Sequence, residues 1–285
     1  MDDPAPLIAV LQVLIVVVGV GAGWWLVNRL TAFDDHAELW LANNWAYLAH
    51  RVGFVFVQVV GVSSLVGQDV SDWSSLAWVA GGLVWATLLA AVALPLTDWM
   101  ILGTRTRLST LDQVPLSVGL VRLGFYIGLG MVVRATFVGE APSVGTGLLA
   151  ILLFTVAGIA ALVVAFYLHS AVTRGHLRAG VAAGGVTEGL ESAAVLGSVG
   201  LILHGATAGD FTTWADSLRG FGIALGVSYV GLYVARYVID WFVLTGDCTL
   251  KTIHERQQKG AAALLAFLLV MVAIPISAAV NLYVE

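Results

Sequence analysis

Residues 7–27 read LIAVLQVLIVVVGVGAGWWLV, an apolar run of the length that ~30 Å of hydrocarbon asks of a helix. Comparable runs recur to the far end of the chain. They predict eight spanning helices, over 7–27, 45–66, 74–100, 117–138, 147–169, 183–204, 216–244 and 260–282. In lipid only a helix satisfies all its backbone groups within one such segment. Membrane strands would be short and would alternate in polarity, and these runs do neither. The acidic flank MDDPAP and the length of the first run oppose a cleavable signal peptide.

Composition gives the same class. Hydrophobic residues make up 59% of the 285 and charged residues 11%, with a mean hydropathy of +0.94. Soluble domains carry roughly 25% charged residues. The fold class expected is therefore an all-α polytopic membrane protein, with no room between spans for a soluble domain. One cysteine, Cys248, excludes an internal disulfide and any CxxC site. A net charge of −5 without a basic run gives no support for nucleic acid as a partner.

Charge is sided. Arg29, Arg51, Arg105, Arg107, Arg174, Arg178, Lys251, Arg256 and Lys259 fall in or beside the odd-numbered loops. Asp2, Asp3, Asp69, Asp72, Glu140, Asp210, Asp216 and Glu285 fall on the other side, with only Arg219 near them. The positive-inside rule then predicts both termini outside a cytoplasmic membrane.

A gapless shift of 142 positions, the separation of Asp98-Trp99 from Asp240-Trp241, also aligns Leu7 with Leu149, Thr31 with Thr173, Gly67 with Gly209 and Ser75 with Ser217. Residues 1–142 and 143–285 thus read as two four-helix units. An even number of spans makes both enter the membrane in the same direction, so a parallel pseudo-twofold along the membrane normal is expected.

The stretch ARYVIDWFVL (235–244), followed by LKTIHERQQKGAAALLAF (250–267), resembles the four-helix membrane domain of bacteria and archaea named domain of unknown function 350 (DUF350). NNWAYLAHRVGF (43–54) is similar to that family's Asn-x-Ala segment at Asn44 and Ala46. The second half departs from it with GGVTEGLES (184–192), and the first half has Leu94 where Arg236 stands. The resemblance implies an eight-helix tandem in a prokaryotic inner membrane and carries no established activity.

Charges within spans cost roughly 3 kcal/mol each on insertion scales, so they mark candidate sites. Arg236 and Asp240 share a helix face and lie near the inner boundary, where a snorkelling arginine beside a boundary acid is the plain reading. Asp98 and Asp240 oppose the helix dipole at C-termini, so each is expected to have a cationic partner. Trp99 and Trp241 read as interfacial anchors. Glu188 and Glu191 are one turn apart, with Glu191 roughly 12 Å below a span starting near Ala183. Arg51 and His50 occupy similar depth in the first half, and pairing of Arg51 or His50 with Glu191 or Glu188 across the halves is expected. Gln58 reads as interhelical glue, Arg122 as snorkelling, and Arg134 as lining an external vestibule.

His169 and His204 lie near opposite faces, and both lysines lie in or beside the last odd-numbered loop, so no haem, retinal or other cofactor is expected. GxxxG spacings at Gly19/Gly23, Gly124/Gly128 and Gly222/Gly226 permit close helix approach, within the bundle or between subunits. With no nucleotide loop, nucleophile–base motif or metal cluster, an enzyme is the least expected class. Two functions remain. One is a proton or small-ion channel or carrier built on the Glu188/Glu191 and His50/Arg51 cluster. The other is a non-catalytic scaffold or accessory subunit of an envelope-stress or energy-transducing complex. Expected partners are the lipid bilayer and either further copies or a larger membrane complex.

Overall fold

A computed structural model describes residues 4–30, 35–68, 70–103, 114–173, 176–211, 213–242 and 250–284. Arg105, Arg107, Arg174, Asp2, Asp3, Asp69 and Glu285, which contribute to the charge asymmetry, lie outside the described residues. Every regular element among those described is helical. The spans are α1 (Ala5–Leu30), α2 (Trp45–Val62), α3 (Ser74–Leu96), α4 (Leu116–Thr136), α5 (Val144–Val172), and then, after the short α6 (His176–Ala182), α7 (Val186–Thr207) and α8 (Trp214–Phe242). The short α9 (Leu250–Glu255) precedes the last span, α10 (Lys259–Val284). Among the described residues eight helices are long and apolar enough to cross a membrane.

Local chemistry sets several ends. The Asn44 side chain accepts from the Tyr47 amide at 3.0 Å and caps α2. Ser143 caps α5 in the same way, accepting from the Thr146 amide at 3.1 Å. Pro95 has no N–H to give the ladder, and beyond it α3 continues as a π-helical turn, Thr97–Leu102. Gly103, at φ 66°, closes that turn in the left-handed conformation that glycine tolerates. A second π turn, His36–Leu41, together with α6 and α9, stands where polar loops are expected from the sequence.

Packing is centred on α4 and α7. The α4 helix lies between α2 and α7, and α10 covers the far side of α7, so four helices form a row. Glycines let backbones meet in it. A Cβ on Gly124 would collide with the Ala193 backbone, one on Gly200 with Gly128, and one on Gly119 with Ala46. Gly19 and Gly23 instead accommodate the side chains of Leu83 and Gln58. Gly222 and Gly226 meet nothing of this chain within 4 Å of an added Cβ. Midway along the row Val57, Leu129, Leu196 and Val199, with Leu162 of α5 beside them, are fully buried, making an apolar, close-packed layer.

Three helices of the row are short, and two flanking ones are long. The α2 helix has 18 residues, and α4 and α7 have 21 and 22, whereas α5 and α8 have 29 each. Val10 and Val17 on α1 and Leu152 and Val156 on α5 point outward, as lipid-facing residues do.

Candidate functional site

The buried charges gather at the face where α2, α4, α7 and α10 begin, in three clusters. The first surrounds Arg51, which is 1% exposed. Its Nη2 lies 2.8 Å from Asp35 Oδ1 and its Nε donates to the same oxygen at 3.0 Å. Asn28 and the Tyr47 hydroxyl accept from it as well, and Trp24 and Tyr47 present ring faces at 4.9 and 5.0 Å. Asp35 also accepts from Trp24 Nε1 at 2.7 Å and from Tyr47 Oη. Burial raises the Asp35 carboxyl, but the hydrogen bonds from Tyr47 and Asn28 and the Arg51 charge outweigh it and hold the group below the ordinary carboxylate range.

The second cluster joins α3 to α4. Arg122, 1% exposed, donates through Nε and Nη2 to Asp98 Oδ1 at 3.0 and 2.8 Å. The π turn carries Asp98 inward, to 4% exposure. One helical turn on, Tyr126 Oη lies 3.1 Å from His50 Nδ1 and donates to the Ala90 carbonyl. From α6, Arg178 Nε donates to the Leu102 carbonyl at the end of the π turn.

The third cluster belongs to α5, α7, α8 and α9. Glu191, 1% exposed, faces three bases. Its Oε1 accepts from Arg236 at 2.8 Å and lies 3.0 Å from His169 Nε2. Its Oε2 lies 2.6 Å from His254 Nε2. The other ring nitrogen of His254 lies 3.5 Å from Glu188 and 3.3 Å from Thr187 Oγ1. Glu188 in turn accepts from the exposed Gln257 at 3.0 Å. A line of polar groups therefore runs from the surface at Gln257 to the buried His169. Burial pulls the His254 imidazole down, but the hydrogen bond and charge of Glu191 and the charge of Glu188 outweigh it, so it titrates above the ordinary histidine value. A cavity of about 20 Å³, bordered by His169, Tyr229, Tyr233 and Arg236, lies just beyond; that is room for one water.

This geometry corrects several expectations. Arg51 pairs with Asp35 in its own half, and His50 with Tyr126, so the bases of the first half do not serve Glu191 or Glu188. A pairing across helices leaves no spacing in sequence, and similar depth alone misassigned it. Arg236 does not snorkel beside Asp240; it turns inward to Glu191. Arg122, expected to snorkel, is the cation that Asp98 requires. Because α7 begins at Val186, Glu191 lies only about 8 Å along it, and protein rather than lipid encloses it. Arg134 does not border the large cavity at the other face, whose lining begins two residues further on; its carbonyl accepts from Ser64. Gln58 does bridge helices, donating to Thr87 Oγ1 at 2.8 Å. Trp99 and Trp241 are exposed, as anchors would be, and Asp240 is partly exposed near the end of α8.

His169, His254 and Asp35 emerge from the structure as the missing partners. The position of His169 near the end of the fifth span, level with the start of the sixth, was the one available signal. Among the described residues no three His, Cys, Asp or Glu side chains are arranged to hold a metal ion.

Eight membrane-length helices with charges buried at one face define an integral, multi-pass membrane protein. Residues 143–280, from α5 into α10, match the family described as Domain of Unknown Function (DUF350). No curated protein and no solved structure matches the chain.

Proposed function

We propose that the protein is a non-enzymatic carrier or channel for protons or small cations, with Glu191 as its inner station. The observation that carries this reading is the line Glu188–His254–Glu191–His169, four groups that exchange protons, which meets the surface at Gln257. An ion pair needed only for packing is served by arginine, as at Arg122–Asp98. The apolar layer above the cluster acts as the closed gate. Positive-inside asymmetry supports a cytoplasmic position for this face, with both termini outside a prokaryotic inner membrane.

The fold further supports a tandem of two such four-helix units. The packing of α2 on α4 is matched by that of α7 on α10, and that of α2 on α3 by that of α7 on α8. The alternative is a scaffold or accessory subunit, in oligomeric or larger membrane assemblies. The backbone-to-backbone seam of α4 and α7 favours it, because a tight seam resists opening.

Proteoliposomes separate the two. Wild-type protein is expected to dissipate a proton or potassium gradient, and Glu191→Gln to reduce the flux to that of empty vesicles. Equal flux from both proteins rejects Glu191 as the station, and no flux from wild type above background for protons, potassium or chloride rejects conduction and leaves the scaffold.

A further inference from the structure

At the face opposite the charged clusters the helices enclose a cavity of about 820 Å³, within the roughly 300–1,000 Å³ typical of small-molecule sites. Its floor is apolar and partly aromatic, with Leu65, Phe137, Ile151 and Phe154 among its residues and Trp78 at one side. Three carboxylates, Glu140, Asp210 and Asp216, stand at the mouth, and no Lys, Arg or His is among the described lining residues.

Both walls are held in place. On one side the Glu140 amide donates to Asp210 Oδ1 and the Phe211 amide to the Glu140 carbonyl, each at 2.9 Å. These bonds clasp two loops so closely that a side chain at Gly139, with φ at +95°, would run into the Gly209 carbonyl. On the other side Gln12, fully buried in α1, donates to Ser75 Oγ at 3.1 Å and to the Gln68 carbonyl at 3.2 Å. Its own oxygen accepts from the Gly67 amide at 2.8 Å. Every hydrogen bond of that buried amide therefore fixes the cavity wall. A mouth prepared in advance costs a ligand little ordering on binding.

We infer that this cavity binds an organic cation, an ammonium group carrying an apolar body. The carboxylates set the sign of the charge, low-dielectric walls focus their field, and the aromatic floor receives the hydrocarbon and attracts the cation. The ammonium is supplied either by a lipid headgroup of that leaflet or by a soluble amine. This inference does not depend on conduction through the Glu191 cluster.

Calorimetric titration of tetrapentylammonium into the full chain tests it, first in nanodiscs of phosphatidylglycerol. Saturable binding is expected, weakened about fivefold by Asp210→Asn or Asp216→Asn, as expected for losing one partly exposed charge pair. Ala150→Trp, which fills the floor, and Ala141→Trp, which blocks the exposed mouth without disturbing packed residues, are both expected to abolish it. Nanodiscs containing phosphatidylethanolamine identify the source. Competition that grows with its content assigns the site to a lipid headgroup, and unchanged affinity assigns it to a soluble amine. No saturable binding, or affinity unchanged in both aspartate variants or in Ala141→Trp, overturns the inference.

Discussion

Two ways of burying charge stand side by side at one face of this bundle. In the first half the two acids of the clusters each meet an arginine, Asp35 with Arg51 and Asp98 with Arg122, and an arginine keeps its proton at any pH a cell meets. In the second half one acid, Glu191, meets an arginine and two histidines. Fixed pairs lock helices together, whereas histidine pairs hold protons that can leave. The difference separates a structural use of charge from a chemical one, within a single chain and at one depth.

The largest expected effect tests the structural side. Asp98→Leu strands the Arg122 guanidinium at 1% exposure, and breaking a buried pair this way costs about 3–5 kcal/mol. Unfolding in detergent mixtures is expected to show that loss, and the double variant Asp98→Leu/Arg122→Leu to recover most of it. A double variant no more stable than the single would mean that the pair does more than neutralise itself. Next comes Glu191→Gln, which keeps the shape but loses the charge opposite Arg236 and one of the two acceptor oxygens, at a cost of about 1–3 kcal/mol by the same measurement. A loss as great as that of Asp98→Leu would erase the distinction between the clusters.

A smaller effect follows from pH. The folded pKa of His254 stands above its unfolded value of 6.5. Its contribution is therefore complete below pH 6.5 and is lost as pH rises through the higher folded value. Asp35 is depressed below 3.8, so its contribution is complete above that pH and is lost only as pH falls through the lower folded value. Between pH 6 and 9, hydrogen exchange corrected for intrinsic rate should therefore quicken in α9 and stay constant around residues 35–41. His254→Gln should abolish the pH dependence in α9. The smallest effect is a neutral control: Thr87→Val removes the acceptor of Gln58 at a cost of roughly 0.6 kcal/mol, the average for a hydrogen bond between membrane helices.

The eight spans were legible because the hydrocarbon core imposes its thickness on any sequence that crosses it, and LIAVLQVLIVVVGVGAGWWLV can do little else. HAELWL and LKTIHE, both polar enough for a loop, gave no such signal, and yet the second forms α9 and delivers His254 to Glu191. The need of Asp98 for a cation was readable from its place at a helix end, because the dipole argument is local. Which cation answered it was not, since Arg122 comes from another helix and only packing brings the two together. Arg51 was misassigned for the same reason: its partner Asp35 lies in a polar connection that resembles any other solvated loop.

One further consequence lies in the unequal lengths of the helices. At 1.5 Å per residue α2 spans about 27 Å and α5 and α8 about 43 Å, against roughly 30 Å of hydrocarbon. The flanking helices lean or reach into the headgroup regions, α4 and α7 at about 32 and 33 Å match the hydrocarbon, and α2 falls short of it. A thicker bilayer would reach the polar start of this shortest core helix first, so acyl-chain length bears most directly on the place where Arg51 meets Asp35.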